Sequence, residues 1–298
     1  MKTCLIVGID SFTGKYVRNA FERQGYNVVG TALTAGNDSV APRIYKMDLL
    51  DDDNIRDVVA KVKPDIVVHL AGISFVISET FSQFYDVHIM GTRNLLSALV
   101  DRDIPVSKVI LASSSQIYGA AQNATEKMPP SPMNDYAVSK LAMEYMARTW
   151  MDRLPIVITR PFNYIGIGQA EHFVIPKVLS AFVRKDPVLR LGRTDVRRDF
   201  SDVRFVAQCY LALAEQGRAG SIYNIASGKP HSLDFIIEEL TRISGFTIEI
   251  IRDERFVRKS EPDVIVGNSD KLMSLGNAPE QIPMEETLVW MYQNENRD

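Results

Sequence analysis

Residues 3–14 read TCLIVGIDSFTG, an apolar run that leads directly into a loop bounded by Gly8 and Gly14. A strand, a glycine loop and a helix in this order place backbone N–H groups at the helix start, where they face an anionic pyrophosphate. Ser11 stands where the usual fingerprint has its middle glycine, and its small side chain leaves room for phosphates. We therefore predict a dinucleotide loop made by Gly8, Ser11, Phe12, Thr13 and Gly14. Simple strand–helix punctuation remains the alternative at this point.

The residues that follow alternate regularly between apolar runs and helix-like stretches. Further strands are predicted at 27–31, 65–71, 108–113 and 155–160, and helices at 14–24, 51–62, 79–100 and 136–152. Near-continuous apolar strands separated by helices are typical of a parallel sheet covered on both faces. The fold class predicted is α/β, with a doubly wound parallel sheet.

Beyond residue 161 the alternation loosens. We predict one more strand at 221–226, helices at 173–184 and 232–243, and short strands at 188–191 and 247–251. Ligands of doubly wound sheets collect at the carboxyl ends of the strands, so the smaller C-terminal α/β region is expected to supply a substrate pocket there. The expected division is residues 1–162 plus about 195–227 for the dinucleotide domain, and 163–194 plus 228–298 for the substrate domain.

Composition sets the broad class of the protein. The chain has 298 residues, 46% of them hydrophobic, and a net charge of −3, which gives no support for nucleic-acid or membrane partners. It contains no stretch approaching the ~20 apolar residues of a membrane span, and its N-terminus does not resemble a signal peptide. Cys4 and Cys209 are predicted to be reduced core residues, and no metal site is expected. The cytoplasm is the expected compartment.

Residues 136–140 read YAVSK and carry the candidate chemistry. Four residues make about one helical turn, so Tyr136 and Lys140 share a face of the helix. A phenol with a pKa near 10 exchanges protons poorly at neutral pH, and we expect the neighbouring ammonium to lower that pKa. A second polar group lies upstream, where SSS at 113–115 follows a predicted buried strand. An exposed Tyr/Lys pair and an ordinary strand end are the structural alternatives.

The glycine loop, DIVVHLAG, SSSQIYG, YAVSK and RPFNYIGIGQ follow one another in an order and spacing that resemble the extended short-chain dehydrogenases/reductases acting on nucleotide sugars. The resemblance covers essentially the whole chain and implies a Rossmann-type fold. It implies a catalytic set of Ser114, Tyr136 and Lys140. It implies cofactor contacts from the glycine loop, Leu70, Ala71, Gly72, Tyr136 and Lys140. It implies substrate contacts from Ser115, Gln116, Asn163, Lys177, Arg198, Arg258 and Glu261. Asp48 and Leu49 are expected to contact the adenine, and a surface turn with an N-cap is the alternative.

Within that family the sequence is most similar to the branch of GDP-mannose 4,6-dehydratases and GDP-4-keto-6-deoxymannose reductases. Dehydratases of the branch carry a glutamate two residues after the catalytic hydroxyl, whereas this chain has Gln116. An amide cannot act as a general base, which favours NAD(P)H-dependent reduction of a 4-keto group on a GDP-linked 4-keto-6-deoxy sugar. The alternatives are a nucleotide-sugar 4-epimerase, a dehydratase and a non-catalytic dinucleotide sensor.

The predicted second strand ends at Thr31-Ala32-Leu33, where NAD-binding enzymes carry an acidic residue for the ribose 2′-OH. Ala32 occupies that position, so we expect NADP(H) to be preferred and NAD(H) to be tolerated. Arg43 is the nearest following arginine. His88 replaces an asparagine of related enzymes, and we interpret it as a packed structural histidine.

The family also implies a homodimer built from helices 79–100 and 136–152. The apolar residues considered for that contact are Leu95, Leu96, Leu99, Met143, Met146 and Trp150. Burial in the core is the alternative for all six.

Overall fold

The structure is a computed structural model that describes residues 1–34, 43–73, 81–256 and 262–295. Its centre is a seven-stranded sheet in the order β11-β7-β5-β4-β1-β2-β3, in which all neighbouring strands are parallel. These strands are β1 (Thr3–Val7), β2 (Asn27–Ala32), β3 (Arg43–Lys46), β4 (Ile66–His69), β5 (Lys108–Ala112), β7 (Ile156–Pro161) and β11 (Ile222–Ile225). The doubly wound sheet is therefore confirmed.

Helices cover both faces of this sheet. They are α1 (Phe12–Arg23), α2 (Asp52–Val62), α3 (Ser82–Tyr85), α4 (Thr92–Asp101), α5 (Asp135–Arg148), α6 (Val174–Arg184), α7 (Val203–Gln216), α8 (Leu233–Ser244), α9 (Asp270–Met273) and α10 (Met284–Asn294). Leu5 faces the core beneath α2, α4 and α5, whereas the next residue, Ile6, faces the core beneath α1 and α7. A strand buried on both faces needs apolar residues at consecutive positions, which explains the unbroken TCLIV of β1.

The predicted helix 79–100 is wrong as a single α-helix. Its described part consists of α3, a π-helical turn at Asp86–Gly91 and α4. A π turn accommodates one extra residue and rotates the residues around it. The Cβ that any other residue would carry at position 91 would lie 2.8 Å from the Cβ of Leu49, so only glycine allows α4 to pack this closely.

Several elements after residue 120 were not predicted from the sequence. They are β6 (Gln122–Ala124), β8 (Asn163–Ile165), β10 (Arg197–Asp202), β12 (Pro230–Ser232), β14 (Val264–Gly267) and the helices α7, α9 and α10. The five short strands β6, β8, β10, β12 and β14 form a second sheet, while β9 (Val188–Leu191) and β13 (Glu249–Arg252) pair with each other. These strands are short or polar, so they lack a clear apolar pattern.

Cys4 and Cys209 are both free and buried, as predicted. Among the described helices, none is long and apolar enough to cross a bilayer.

Candidate active site

A cavity of about 520 Å³ opens at the carboxyl ends of the central strands, where parallel sheets bind their ligands. It brings together many of the residues predicted from the sequence: Ser11, Phe12, Thr13, Leu70, Gly72, Ser114, Ser115, Gln116, Tyr136, Lys140 and Asn163. These residues come from distant parts of the chain, and the strand order places them side by side.

The glycine loop is held tightly against the ends of β1 and β4. Gly8 has φ +87°, and a Cβ at this position would lie 2.9 Å from the Cα of Ala71. A Cβ at Gly14 would lie 2.4 Å from the carbonyl oxygen of Gly8. Leu70 and Ala71 both donate their amide hydrogens to the Val7 carbonyl at 2.9 Å. Glycine at these two positions therefore lets the loop pack closely against the ends of β1 and β4 and the start of α1.

Ser11 does more than leave space for phosphates. Its hydroxyl donates to the Gly8 carbonyl at 2.7 Å and accepts from the Gly14 amide at 3.0 Å, which makes it the N-cap of α1. The Thr13 hydroxyl is hydrogen-bonded to that of Tyr164 at 2.7 Å, and the rings of Phe12 and Tyr164 stack with centroids 6.0 Å apart. The start of α1, with its positive dipole end, therefore lines the cavity and fits a dinucleotide diphosphate.

Ser114, Tyr136 and Lys140 lie together on the inner wall of the cavity. The side chain of Ser114 lies close enough to the phenol of Tyr136 to lower its pKa. The ammonium of Lys140 donates to the carbonyl of Ala112 at 2.9 Å, which ties α5 to the end of β5. A hydroxyl and a phenol on the same wall present two O–H groups to a carbonyl oxygen bound in the cavity.

The pKa of the phenol departs from the sequence-based expectation. Burial raises the pKa of Tyr136 to about 12, while the neighbouring Ser114 side chain acts in the opposite direction. The sequence predicted that Lys140 would lower this pKa, but burial dominates it and Lys140 is not among its causes. Burial also lowers the pKa of Lys140 to about 8. The phenol is consequently protonated at neutral pH, as an acid that gives up a proton must be.

His88 is a buried structural residue, as predicted. The Ile73 amide donates to its Nε2 at 3.2 Å, so the ring proton resides on Nδ1, which is 2.9 Å from the Ser139 hydroxyl. Ser139 in turn donates to the backbone carbonyl of Tyr136 at 2.8 Å. Burial lowers the pKa of His88 to about 2, which keeps the ring neutral. The π turn that carries His88 thereby supports the first turn of α5.

The position of Gln116 is fixed by the N-cap of α5. Asn134 accepts from the Ala137 amide at 2.8 Å and donates to the Gln116 side-chain oxygen at 3.2 Å. Gln116 lies in a 3₁₀ turn, Ser115–Tyr118, whose own N-cap is Ser114. The side-chain amide of Gln116 is thus held in the lining of the cavity. There it can donate or accept hydrogen bonds, but it cannot remove a proton from carbon.

Other predicted contacts lie outside this cavity. Asp48 is exposed beyond β3, where its carboxylate accepts from the Leu50 amide at 2.9 Å, and Leu49 is buried. On α6 the Lys177 ammonium donates to the Arg190 carbonyl at 3.1 Å and lies 4.6 Å from the ring centroid of Phe256. Arg198 on β10 donates to the Arg197 carbonyl at 2.9 Å. The last two predicted residues, Arg258 and Glu261, lie outside the described residues.

Two features of the cavity were not assigned from the sequence. Ser113 lines the cavity, is 4% exposed, and has no hydrogen-bond partner for its hydroxyl within the described ranges. Its place in the serine triplet was a signal that could have identified it. The second feature is an apolar wall formed by Phe162, Phe173, Val174, Pro176 and Phe200. Only the tertiary structure brings these five side chains together.

Across the part of the chain that the structure describes, no cluster of three or more His, Cys, Asp or Glu side chains is arranged to hold a metal ion. The arrangement therefore provides a diphosphate cradle, two hydroxyl donors and a buried ammonium around one cavity.

Two curated relatives span nearly the whole chain. GDP-6-deoxy-D-talose 4-dehydrogenase of Aggregatibacter actinomycetemcomitans is 32% identical over 97% of this chain and 97% of its own length. GDP-6-deoxy-D-mannose reductase of Pseudomonas aeruginosa is 32% identical over 95% of this chain and 93% of its own length.

Solved structures agree with the fold. A protein of Burkholderia cenocepacia J2315, provisionally described as an epimerase, is 41% identical with a TM-score of 0.93 over 100% of this chain and 99% of that one. RMD from Pseudomonas aeruginosa, complexed with NADPH, is 28% identical with a TM-score of 0.88 over 100% of both chains. The model of the NAD dependent epimerase/dehydratase family matches residues 4–226, which contain the glycine loop and all three cavity groups Ser114, Tyr136 and Lys140. The chain belongs to the NAD dependent epimerase/dehydratase family.

Proposed function

We propose that this protein is an NAD(P)H-dependent reductase of the 4-keto group of a GDP-linked 4-keto-6-deoxy sugar. The observation that carries the proposal is the meeting of Ser114, Tyr136 and Lys140 in one cavity beside a diphosphate cradle, with an amide at Gln116. Full-length relatives that act, by their names, on GDP-6-deoxy sugars support the same substrate class.

Each of the three side chains has a distinct part in this reaction. Tyr136 donates its phenolic proton to the oxygen that develops at C4, and Ser114 stabilises the same oxygen with a hydrogen bond. Lys140, held at the Ala112 carbonyl, stabilises the phenolate electrostatically. A bound nicotinamide dinucleotide supplies the hydride.

The cofactor is proposed to be NADP(H) in preference to NAD(H). Ala32 at the end of β2 carries no carboxylate that would repel a 2′-phosphate, and a structural relative is complexed with NADPH. Arg43 does not contribute next to Ala32, since it pairs with Val29 at the opposite end of the strand. Asp48 and Leu49 follow the neighbouring strand and are proposed to contact the adenine.

The substrate is proposed to lie across the cavity towards the second sheet. Asn163, Ser115 and Gln116 line the cavity and offer hydrogen bonds to the sugar. The apolar wall suits the methyl group of a 6-deoxy sugar better than a hydroxymethyl or carboxylate group. Lys177, Arg198, Arg258 and Glu261 are proposed to bind the nucleotide, with the cations serving the diphosphate.

Substitution of Tyr136 by phenylalanine tests the catalytic assignment. NADPH oxidation in the presence of GDP-4-keto-6-deoxymannose should fall by at least about 100-fold in Tyr136→Phe, while NADPH affinity is retained. Tyr145→Phe is the matched control, because Tyr145 lies on the same helix but is 53% exposed and stacks with Arg148. Unchanged turnover in Tyr136→Phe would refute the proposed role.

A 4-epimerase is the second candidate, favoured by the description of the Burkholderia cenocepacia structure. An epimerase oxidises and re-reduces the sugar with no net consumption of cofactor. Protein purified with tightly bound NAD, which interconverts C4 epimers without oxidising added NADPH, would support the epimerase and exclude the reductase.

We also propose a homodimer, with a different contact surface from the residues considered above. Leu95, Leu96, Leu99, Met143 and Trp150 are core residues in this structure and are not available for a partner. Large apolar side chains of the same helical region are 38–61% exposed, namely Phe81, Met90 and Val138. Exposed apolar side chains on these helices are where we expect the second copy to pack.

The remaining sequence-based assignments stay predictions. They are the cytoplasmic location and the division into a dinucleotide domain of residues 1–162 plus about 195–227 and a substrate domain of 163–194 plus 228–298. The place of β11 in the central sheet and the packing of α7 against α1 support that division.

A further inference from the structure

The edge strand β3 was not predicted from the sequence, and its register with β2 has a consequence for cofactor choice. The two strands are parallel, and Ala32 pairs with Lys46 while Val29 pairs with Arg43. The position at which NAD-binding enzymes carry a carboxylate is therefore directly beside a lysine.

Lys46 lies on the same face of the sheet as the glycine loop. Gly30 and Ile44 form the pair two positions before Ala32 and Lys46, and side chains two residues apart in a strand share a face. A Cβ at Gly30 would lie 2.4 Å from the side chain of Ile9, which belongs to the glycine loop. The Lys46 side chain is exposed on that face, at the carboxyl end of β3.

Arg43 is the other cation of β3, and its position in the strand is opposite to that of Lys46. It lies three positions before Lys46, which places its Cα about 10 Å closer to the amino end of the strand and its side chain on the other face. That face packs against α2, where the Lys61 ammonium lies 4.6 Å from the ring centroid of Tyr45. Arg43 is thus a cation of the same strand that does not face the glycine loop.

Lys46 is also the only cation paired with the last residue of β2 among the described residues of β3. The sequence from Ala32 to Pro42 contains no lysine or arginine, and Asp38 is its single charged residue. Asp10 is an exposed carboxylate that follows Ile9, whose amide donates to the Thr31 carbonyl at 3.1 Å. At the end of β2, the exposed Lys46 is the cation in register with Ala32.

We propose that Lys46 determines cofactor specificity by binding the ribose 2′-phosphate of NADP(H). The ammonium forms a charge-assisted hydrogen bond with the phosphate, which NAD(H) does not carry. This inference rests on the proposed use of a nicotinamide dinucleotide, but not on the identity of the sugar.

Equilibrium binding of NADPH and NADH to the full-length protein tests this proposal without substrate or turnover. The variants are Lys46→Gln and, as the matched control, Arg43→Gln; both change one exposed cation of β3, so neither should disturb folding. In Lys46→Gln the Kd for NADPH should rise about 10- to 100-fold, as expected for the loss of one charge-assisted contact, with the Kd for NADH unchanged. Arg43→Gln should change neither Kd by more than about twofold.

The dependence of the two Kd values on salt concentration provides a second test. The preference for NADPH over NADH should decrease with ionic strength in the wild type and depend less on salt in Lys46→Gln. An unchanged ratio of the two Kd values in Lys46→Gln, or an equal loss in Arg43→Gln, would overturn the role of Lys46. Binding of NADH without binding of NADPH by the wild type would also overturn it, while the proposed reductase would stand. If neither dinucleotide binds, the proposed reductase function is itself refuted.

Discussion

Lys140 is a residue whose tertiary environment changes its chemistry. Burial lowers its pKa to about 8, and its charged form is the one that stabilises a Tyr136 phenolate. We therefore expect kcat/KM, which reports groups of the free enzyme, to fall as the pH rises through about 8. Initial rates between pH 6 and pH 10 measure this decrease in kcat/KM. A kcat/KM that stays constant up to pH 9.5 would contradict the role of charged Lys140.

Stability should change in the opposite direction over the same range. The pKa of Lys140 is lower in the folded than in the unfolded chain, so between about pH 8 and its ordinary value of 10.5 the unfolded state binds more protons. The Lys140 contribution to the free energy of unfolding therefore rises with pH there. Thermal unfolding at each pH separates the loss of catalysis from any loss of structure.

At the scale of the element, α5 carries both Tyr136 and Lys140, and Asn134 determines where it begins. Asn134→Ala should cost about 1 kcal/mol of stability, as is usual for an N-cap, and should also lower kcat because the contact with Gln116 is lost. Urea unfolding and steady-state rates check the two effects.

Asp51 provides the control for this prediction. It caps α2 through the Asn54 amide at 3.0 Å and is exposed away from the catalytic helix. Asp51→Ala should show a comparable loss of stability with a normal kcat. Equal kcat values in the two variants would mean that the start of α5 has no influence on catalysis.

At the scale of the molecule, a buried ion pair joins α5 to the central sheet. Arg160 on β7 donates to Glu144 on α5 at 2.9 and 2.6 Å, and both side chains are at most 2% exposed. Arg160 also donates to the Tyr118 hydroxyl at 2.8 Å, and that hydroxyl donates to Asn224 on β11 at 2.8 Å. The network thereby connects the catalytic helix with two strands of the sheet.

Removing one partner should destabilise the whole fold. We expect Glu144→Ala to cost about 3–5 kcal/mol, because it leaves the Arg160 guanidinium buried without a counter-charge. The double variant Glu144→Leu with Arg160→Met should recover most of that loss. Denaturant unfolding of the two variants gives the comparison, and a loss below about 1 kcal/mol for Glu144→Ala would show that the pair is not needed for stability.

Strand predictions succeeded where burial on both faces required apolar residues. The apolar runs TCLIV in β1 and KVILA in β5 are typical of central strands in a parallel sheet. RIYK in β3 was missed because an edge strand exposes polar side chains, and RRDFSD in β10 was missed because its polar residues are buried through specific partners. Asp199 is an example, since its carboxylate accepts from Ser227, Gly228 and Gly267.

The amino-acid sequence alone determined the class of the fold, the glycine loop and the spacing of Tyr136 and Lys140 on one helical turn. These features depend on local periodicity and on the few residue types that a tight loop accepts. Only the tertiary structure decided the protonation of Tyr136, the π turn at His88, the apolar wall of the cavity and the pairing of Lys46 with Ala32. These properties depend on the loss of solvent and on contacts between residues distant in sequence, which no local pattern specifies.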